Sequence, residues 1–215
     1  MRNDISVFAW RFSSISLLLS VVLSATSLRV QGADIQAAQI MVENTTSQVL
    51  DTLKKNKERL KQDKAELYRL VNEIIVPHFD FRSMSRLVLG KHWRQSSDEQ
   101  KKRFTEEFKT LLVRTYSTTM LDFTGETVKY LPVRAGSDES KALSRLEITQ
   151  PGGGPPVKMD LRMVIRDAAW MIYDITVDGI SLVTNYRNSF GNEVLKTGMD
   201  GLINKLVEKN KQRAG

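Results

Sequence analysis

A histidine and a carboxylate two residues apart can share a proton. Residues 75–81, Ile-Val-Pro-His-Phe-Asp-Phe, set His78 and Asp80 at that spacing. A dyad of this kind needs a nucleophile to activate. No plausible one is nearby in sequence, so capping or structural use is the simpler reading. His92, in Lys-His-Trp-Arg, falls fourteen residues further on and is expected on a loop surface. Two isolated histidines at that distance are not a metal-ligand spacing. Gly179-Ile180-Ser181-Leu182-Val183 lacks the closing glycine of a nucleophile elbow. Asp174, Thr176 and Asp178 alternate along one strand and suggest an acid–base pair or a Ca²⁺ site, but on a polar strand face they read as solvated carboxylates. The basic run 54–61 reads as the solvated end of a helix. A Gly-rich turn cradles phosphate when a helix follows it; Pro151-Gly-Gly-Gly-Pro-Pro156 is followed by a strand pattern. None of these groups looks like an active site.

Composition narrows the classes further. The chain has 215 residues, Lys+Arg 32 against Asp+Glu 25, a formal charge of +7, two histidines and no cysteine. Disulfide frameworks, thiolate nucleophiles, iron–sulfur clusters and cysteine zinc sites are excluded, and no cofactor or metal is expected. The N-terminal segment carries Arg2 and Arg11 and then a serine-interrupted apolar run densest over 15–23. That run is too short to span a hydrocarbon core of about 30 Å. It fits the apolar region of a secretory signal peptide, with cleavage expected between Gly32 and Ala33. Residues 1–32 hold three arginines and one aspartate, so residues 33–215 keep a charge of +5. These form one expected domain, and an exported chain without cysteine suits a periplasm. Export makes nucleic acid an implausible partner.

The elements that must position any site are helical first, then β, then helical. The spacing predicts a helix over 34–60, a second after Asp63 limited by Pro77, and a short third capped by Asp80 and closed by Gly90. A long fourth starts at a capping box, Ser97 with Gln100, and runs to about Phe123. The period then changes from 3.6 to 2. Strands are expected over 127–134, 142–150 and 169–178, with another between the last two. In that one Val157, Met159, Leu161, Met163 and Ile165 point one way, opposite Lys158, Asp160 and Arg162. In the last, Met171, Tyr173, Ile175 and Val177 are expected on one face, and Gly179 ends the sheet. Helix returns over 182–209, broken near Gly191 and near Gly198–Gly201. The fold class is α+β: a four-stranded antiparallel sheet with one apolar face packed on a layer of helices.

The string 75–81, then Met84, then Leu87-Val-Leu-Gly-Lys-His-Trp-Arg94, then Gln100, Phe104, Phe108 and Leu111, resembles the toluene-tolerance family, the MlaC-type periplasmic phospholipid carriers. So does Trp170, Tyr173-Asp-Ile, the run from Val177 to Phe190, and then Gly198, Leu202, Ile203 and Leu206. The match runs in order over nearly all of 33–215. The resemblance implies a phospholipid ligand held in an apolar cavity between sheet and helices. It implies a soluble shuttle between outer and inner membranes that maintains outer-membrane lipid asymmetry. Its implied partners are an outer-membrane lipoprotein–porin complex and an inner-membrane ABC transporter with an MCE-domain subunit.

Within that frame the lining candidates are one helical face, Leu70, Ile74, Ile75, Phe104, Phe108 and Leu111, against Met159, Leu161, Met163, Ile165, Tyr173 and Ile175. Candidates for the headgroup are Arg82, Arg86, Lys91, Arg94 and Arg187, chosen on charge alone. The cavity is expected at or above the top of the usual range of ~300–1,000 Å³. A monomer is expected, since a shuttle is best served by one. Two rivals stay open: an enzyme with a small-molecule cavity, which needs an ionisable residue inside it, and a ligand-free periplasmic protein-docking module with a solid core.

Overall fold

The computed structural model describes residues 35–122, 125–136 and 138–212. The expected signal segment and its cleavage boundary lie outside them. The order is α1 (Ile35–Gln62), α2 (Lys64–Ile74), a 3₁₀ turn (Val76–His78), α3 (Phe81–Leu89), α4 (Lys91–Gln95), α5 (Asp98–Met120), β1 (Thr127–Ala135), β2 (Lys141–Thr149), β3 (Val157–Arg166), β4 (Ala169–Val177), β5 (Ile180–Ser181) and α6 (Leu182–Gln212). Among the described residues no helix is long and apolar enough to cross a membrane.

Helix starts follow local chemistry. Asp63 accepts from the Glu66 N–H at 2.9 Å, and Asp80 accepts from the Ser83 N–H at 2.8 Å. At α5 the capping box is complete: Gln100 N–H donates to Ser97 Oγ, and Ser97 N–H donates to the Gln100 side chain. Each cap satisfies a donor that the first helical turn leaves without a partner. Gly90, with φ of 55°, ends α3. It leads straight into the short α4, where a loop was expected around His92. Helix α6 breaks at Gly198 (φ 73°, ψ 178°) but runs on through Gly191.

The sheet is antiparallel in the order β1-β2-β3-β4-β5. It therefore has five strands, not four. Gly179 does not end it. Asp178 (φ 46°) and Gly179 (φ 84°) make a two-residue turn with both positions left-handed, the conformation that suits the twist of a hairpin. Ile180 and Ser181 then pair back onto Val177 and Thr176. The β3–β4 hairpin turns in the same way at Asp167 and Ala168. Pro132 sits at an irregularity in β1 between Leu131 and Arg134, where the Gln39 side chain of α1 accepts from the Val133 N–H.

A second correction concerns β4. The β3–β4 register shifts between Arg162 and Met163: Leu161 faces Ile175, but Met163 faces Ile172. Tyr173 is the extra residue of this bulge, and a bulge reverses the in–out alternation. Before it, Trp170 and Ile172, not Met171 and Tyr173, share the apolar face. Helix α1 covers that part of the sheet: Ala38 and Val42 pack on Ala142, Leu146, Leu161, Met163, Trp170 and Ile172. The opposite face carries alternating charge, with Lys129–Glu147–Lys158, Arg145–Asp160 and Arg162–Asp174 as cross-strand neighbours. Lys129 and Glu147 close to 3.1 Å.

Candidate functional site

The site is a cavity of about 170 Å³ where the end of the sheet meets four helices. Met159, Ile175 and Val177 form its sheet side. Val71 comes from α2 and Ile75 from the residue that caps it, and Val76 and Phe79 from the 3₁₀ turn and its exit. Phe81 and Met84 come from α3; Leu112, Val113, Tyr116, Ser117 and Met120 from α5; Leu182 from α6. None of these residues carries a charge. The Ser117 hydroxyl donates to the Val113 carbonyl one turn back, so it offers the interior little. Apart from the Tyr116 and Ser117 hydroxyls the wall is apolar, a surface that suits hydrocarbon better than phosphate.

Several tethers hold the walls. The Phe79 segment is stitched to β4: Phe79 and Ile172 form a parallel bridge, and the Asp80 N–H donates to the Ile172 carbonyl at 2.9 Å. Arg166 Nε donates to Asp80 at 3.0 Å, and Arg166 Nη2 to the Ser83 hydroxyl at 3.3 Å. Burial works against the charge of Asp80. The Ser83 hydroxyl and N–H, with Arg166, outweigh it and hold the carboxyl below the usual carboxylate range. Burial lowers the pKa of His78 beside it. Asp80 therefore caps α3 and serves the tether between wall and sheet.

On the far side, Asp174 is not a solvated carboxylate, as its strand pattern suggested. It is 2% exposed and accepts from Ser181 Oγ at 2.8 Å and from the Val183 N–H at 3.2 Å, with Arg162 at 3.8 Å. Ser181 Oγ in turn accepts from the Thr184 N–H. This ties the start of α6, and with it Leu182, to the sheet. Its partners lie beyond a turn, so strand periodicity gave no sign of them.

The structure brings Ile75, Met159 and Ile175 together on the cavity wall. It sets Leu70 and Ile74, again with Ile75, on a small gap between α1 and α2 that shares Val71, Ile75 and Met120 with the cavity. Phe104, Phe108 and Leu111 are buried in the cluster that α3, α5 and α6 share, away from this cavity's wall. Phe104 and Phe108 stack at 5.6 Å, and Phe190 meets both edge-on. Leu161, Met163 and Ile165 pack under α1, and Tyr173 packs on the α3–α6 cluster. Helix α5 is buried on two sides: its 104/108/111 stripe faces α6, while the stripe from Leu112 to Met120 faces the cavity. The expectation followed the more aromatic stripe. Of the cationic candidates, Arg82, Arg86, Lys91 and Arg94 are exposed on α3 and α4. Arg187 is exposed on α6, its guanidinium against Gly90.

The volume is below the usual ~300–1,000 Å³ for ligand pockets, and so below the expectation. An apolar wall gains nothing by standing open, because unfilled space forfeits dispersion contacts. Met84, Met120 and Met159 are unbranched and adaptable, suited to closing on whatever volume is present.

Comparison with known proteins agrees with this architecture. The chain is 32% identical to a phospholipid-binding protein from Ralstonia solanacearum solved in complex with a phospholipid; the two superpose with a TM-score of 0.75 over 83% of this chain and 99% of that one. It is 28% identical to the toluene tolerance protein Ttg2D of Pseudomonas putida, over 85% of this chain and 83% of the relative. It is 20% identical to the intermembrane phospholipid transport system binding protein MlaC of Haemophilus influenzae, over 91% and 92%. The family model described as MlaC protein matches residues 43–208. With most of its described residues inside that match, the chain belongs to the MlaC protein family.

Proposed function

We propose that this protein is a phospholipid-binding transport protein, and that residues 33–215 act as a soluble periplasmic carrier once residues 1–32 are removed. The observation that carries the reading is the uncharged cavity wall, within a fold shared with a protein solved around a phospholipid. Two acyl chains hold on the order of 30 methylenes; at ~0.8 kcal/mol each, exposing them to water costs about 25 kcal/mol. Free diffusion between membranes is therefore negligible, and a carrier buries the tails dry and hands them over by docking. A diacyl lipid exceeds 170 Å³, so loading drives the sheet end and helices apart. The lipid's own burial offsets that opening. The wall holds no carboxylate, imidazole or amine to act as acid or base for turnover, which favours carriage over catalysis.

The same reading places the protein between an outer-membrane lipoprotein–porin complex and an inner-membrane ABC transporter with an MCE-domain subunit, serving outer-membrane lipid asymmetry. Native mass spectrometry of protein purified without detergent, followed by organic extraction, tests it. Stoichiometric phospholipid is expected. A bare mass that stays bare after incubation with phospholipid vesicles would overturn the carrier and leave a protein-docking module.

A further inference from the structure

We propose that the junction of α3, α4 and α6 around Gly90 is a docking surface for a carboxylate-bearing face of a partner protein. The inference rests on the carrier reading in one respect: a carrier that exchanges lipid by docking needs such a face.

The observation begins in the sequence. Between Asp80 and Asp98 lie Arg82, Arg86, Lys91 and Arg94, with no acidic residue. From Leu182 to Asn192 there is Arg187 and again no acidic residue. The fold brings these two segments together. A Cβ on Gly90 would stand 3.1 Å from Arg187 Nη2 and 3.4 Å from Nε, so the guanidinium lies directly on the Gly90 backbone. That close approach, with a φ of 55°, is what glycine permits at this position. Arg86 precedes Gly90 by one turn, and Lys91 and Arg94 follow within one. All four cations are exposed, and none has a carboxylate within ion-pair distance among the described residues. Arg82 is left out of the group because it faces Asp98.

Unopposed charge of one sign is an electrostatic landing site. Carboxylate fits this one better than other anions. A guanidinium is a planar fork that meets carboxylate with two parallel bonds, and one pinned on a glycine loses little freedom in doing so. A headgroup whose tails fill the cavity is the competing anion: on α3 the nearer wall residue is Met84, and Gly90 lies about 9 Å along the axis beyond it at ~1.5 Å per residue, so lipid content in the variants decides between the two. A bilayer surface prefers charge mixed with inserted apolar side chains. The exposed large apolar residues, Ile40, Ile180 and Leu195, lie outside the junction.

The test titrates the mature, isotope-labelled protein with a poly-glutamate peptide and, separately, with phosphatidylglycerol vesicles, alongside the Arg187→Glu and Lys91→Glu variants. Lipid content is measured on each by extraction and mass spectrometry. Expected are salt-sensitive amide shifts centred on Gly90, Lys91 and Arg187 with the peptide, about tenfold weaker binding for each reversal, partial retention in Arg187→Lys, and unchanged lipid in every variant. Peptide binding that ignores the reversals, no peptide binding, or binding to vesicles alone would each overturn the proposal. Loss of lipid in Arg187→Glu would reassign the junction to the headgroup and leave the carrier reading standing. Absence of lipid from the wild type would strike the carrier reading, while the peptide titration would still decide the junction.

Discussion

The carboxylate of Asp174 and the backbone N–H of Val183 meet at 3.2 Å across the β4–β5 turn, and both residues are buried. One side chain thus fixes where α6 begins. Removing it leaves the Val183 N–H and the Ser181 hydroxyl short of an acceptor, at about 1–3 kcal/mol for each group left without a partner. Asp174→Ala is expected to lower unfolding free energy by about 3 kcal/mol in a urea titration and to speed lipid loss to acceptor vesicles, because Leu182 is no longer held. Wild-type stability in that variant would show the bond to be idle.

Cavity wall and solid core are separable by paired substitutions. Ile175→Asp places a charge on the wall at a half-buried position, and is expected to abolish co-purified lipid while the variant remains folded by circular dichroism. Phe108→Ala removes a fully buried ring, at about 3–5 kcal/mol. Lipid is expected to persist at temperatures where that variant is folded. The opposite pattern in extracted lipid would move the site to the α5–α6 side.

Burial lowers the pKa of His78 below its ordinary value of 6.5. Above 6.5 both folded and unfolded chains hold it neutral. As pH falls below 6.5 the unfolded chain takes the proton first, so stability declines until the folded pKa is reached and then levels. Urea midpoints at about pH 7.5 and about pH 5.5 are expected to differ less in His78→Gln than in the wild type. Equal differences in the two proteins would remove His78 as a contributor.

Asp80 has the reverse sign. Its folded pKa lies below the ordinary 3.8, so its stabilising effect is complete above that value and fades as pH falls through the lowered one. Asp80→Asn is expected to cost about 1 kcal/mol at neutral pH, as a weakened cap and a lost Arg166 partner. It should flatten the acid limb of the stability profile. An acid limb as steep as the wild type's would mean that other carboxylates set it.

What the sequence disclosed well was local. Asp63, Asp80, Gly90 and the Ser97–Gln100 pair mark helix ends because caps are made by residues within three or four positions of the groups they satisfy. The face of β3 was equally plain, since alternation needs no knowledge of neighbours. The β4 face failed because the bulge at Tyr173 is a property of pairing with β3, which one strand's own pattern does not contain. The fifth strand was legible in principle: Asp178-Gly179 is a hairpin dipeptide, read instead as a stop. Cavity and core were indistinguishable, because Leu112 and Leu111 are the same chemistry one residue apart. Only packing decides that Leu112 also borders the cavity while Leu111 lies wholly within the α5–α6 cluster.

The alternating charges on the outer face of the sheet have a kinetic meaning. Cations and carboxylates a strand apart largely offset one another within a few ångströms, and beyond a screening distance of about 8 Å in physiological salt such an interspersed pattern has only a weak field. The charge around Gly90 is not cancelled in this way. A molecule with one weakly charged side and one strongly charged side feels a torque as it nears an acidic surface and turns before it touches. On the docking proposed above, the interspersed charges of the sheet leave the helical side to set the orientation of arrival, and raised salt is expected to slow that arrival.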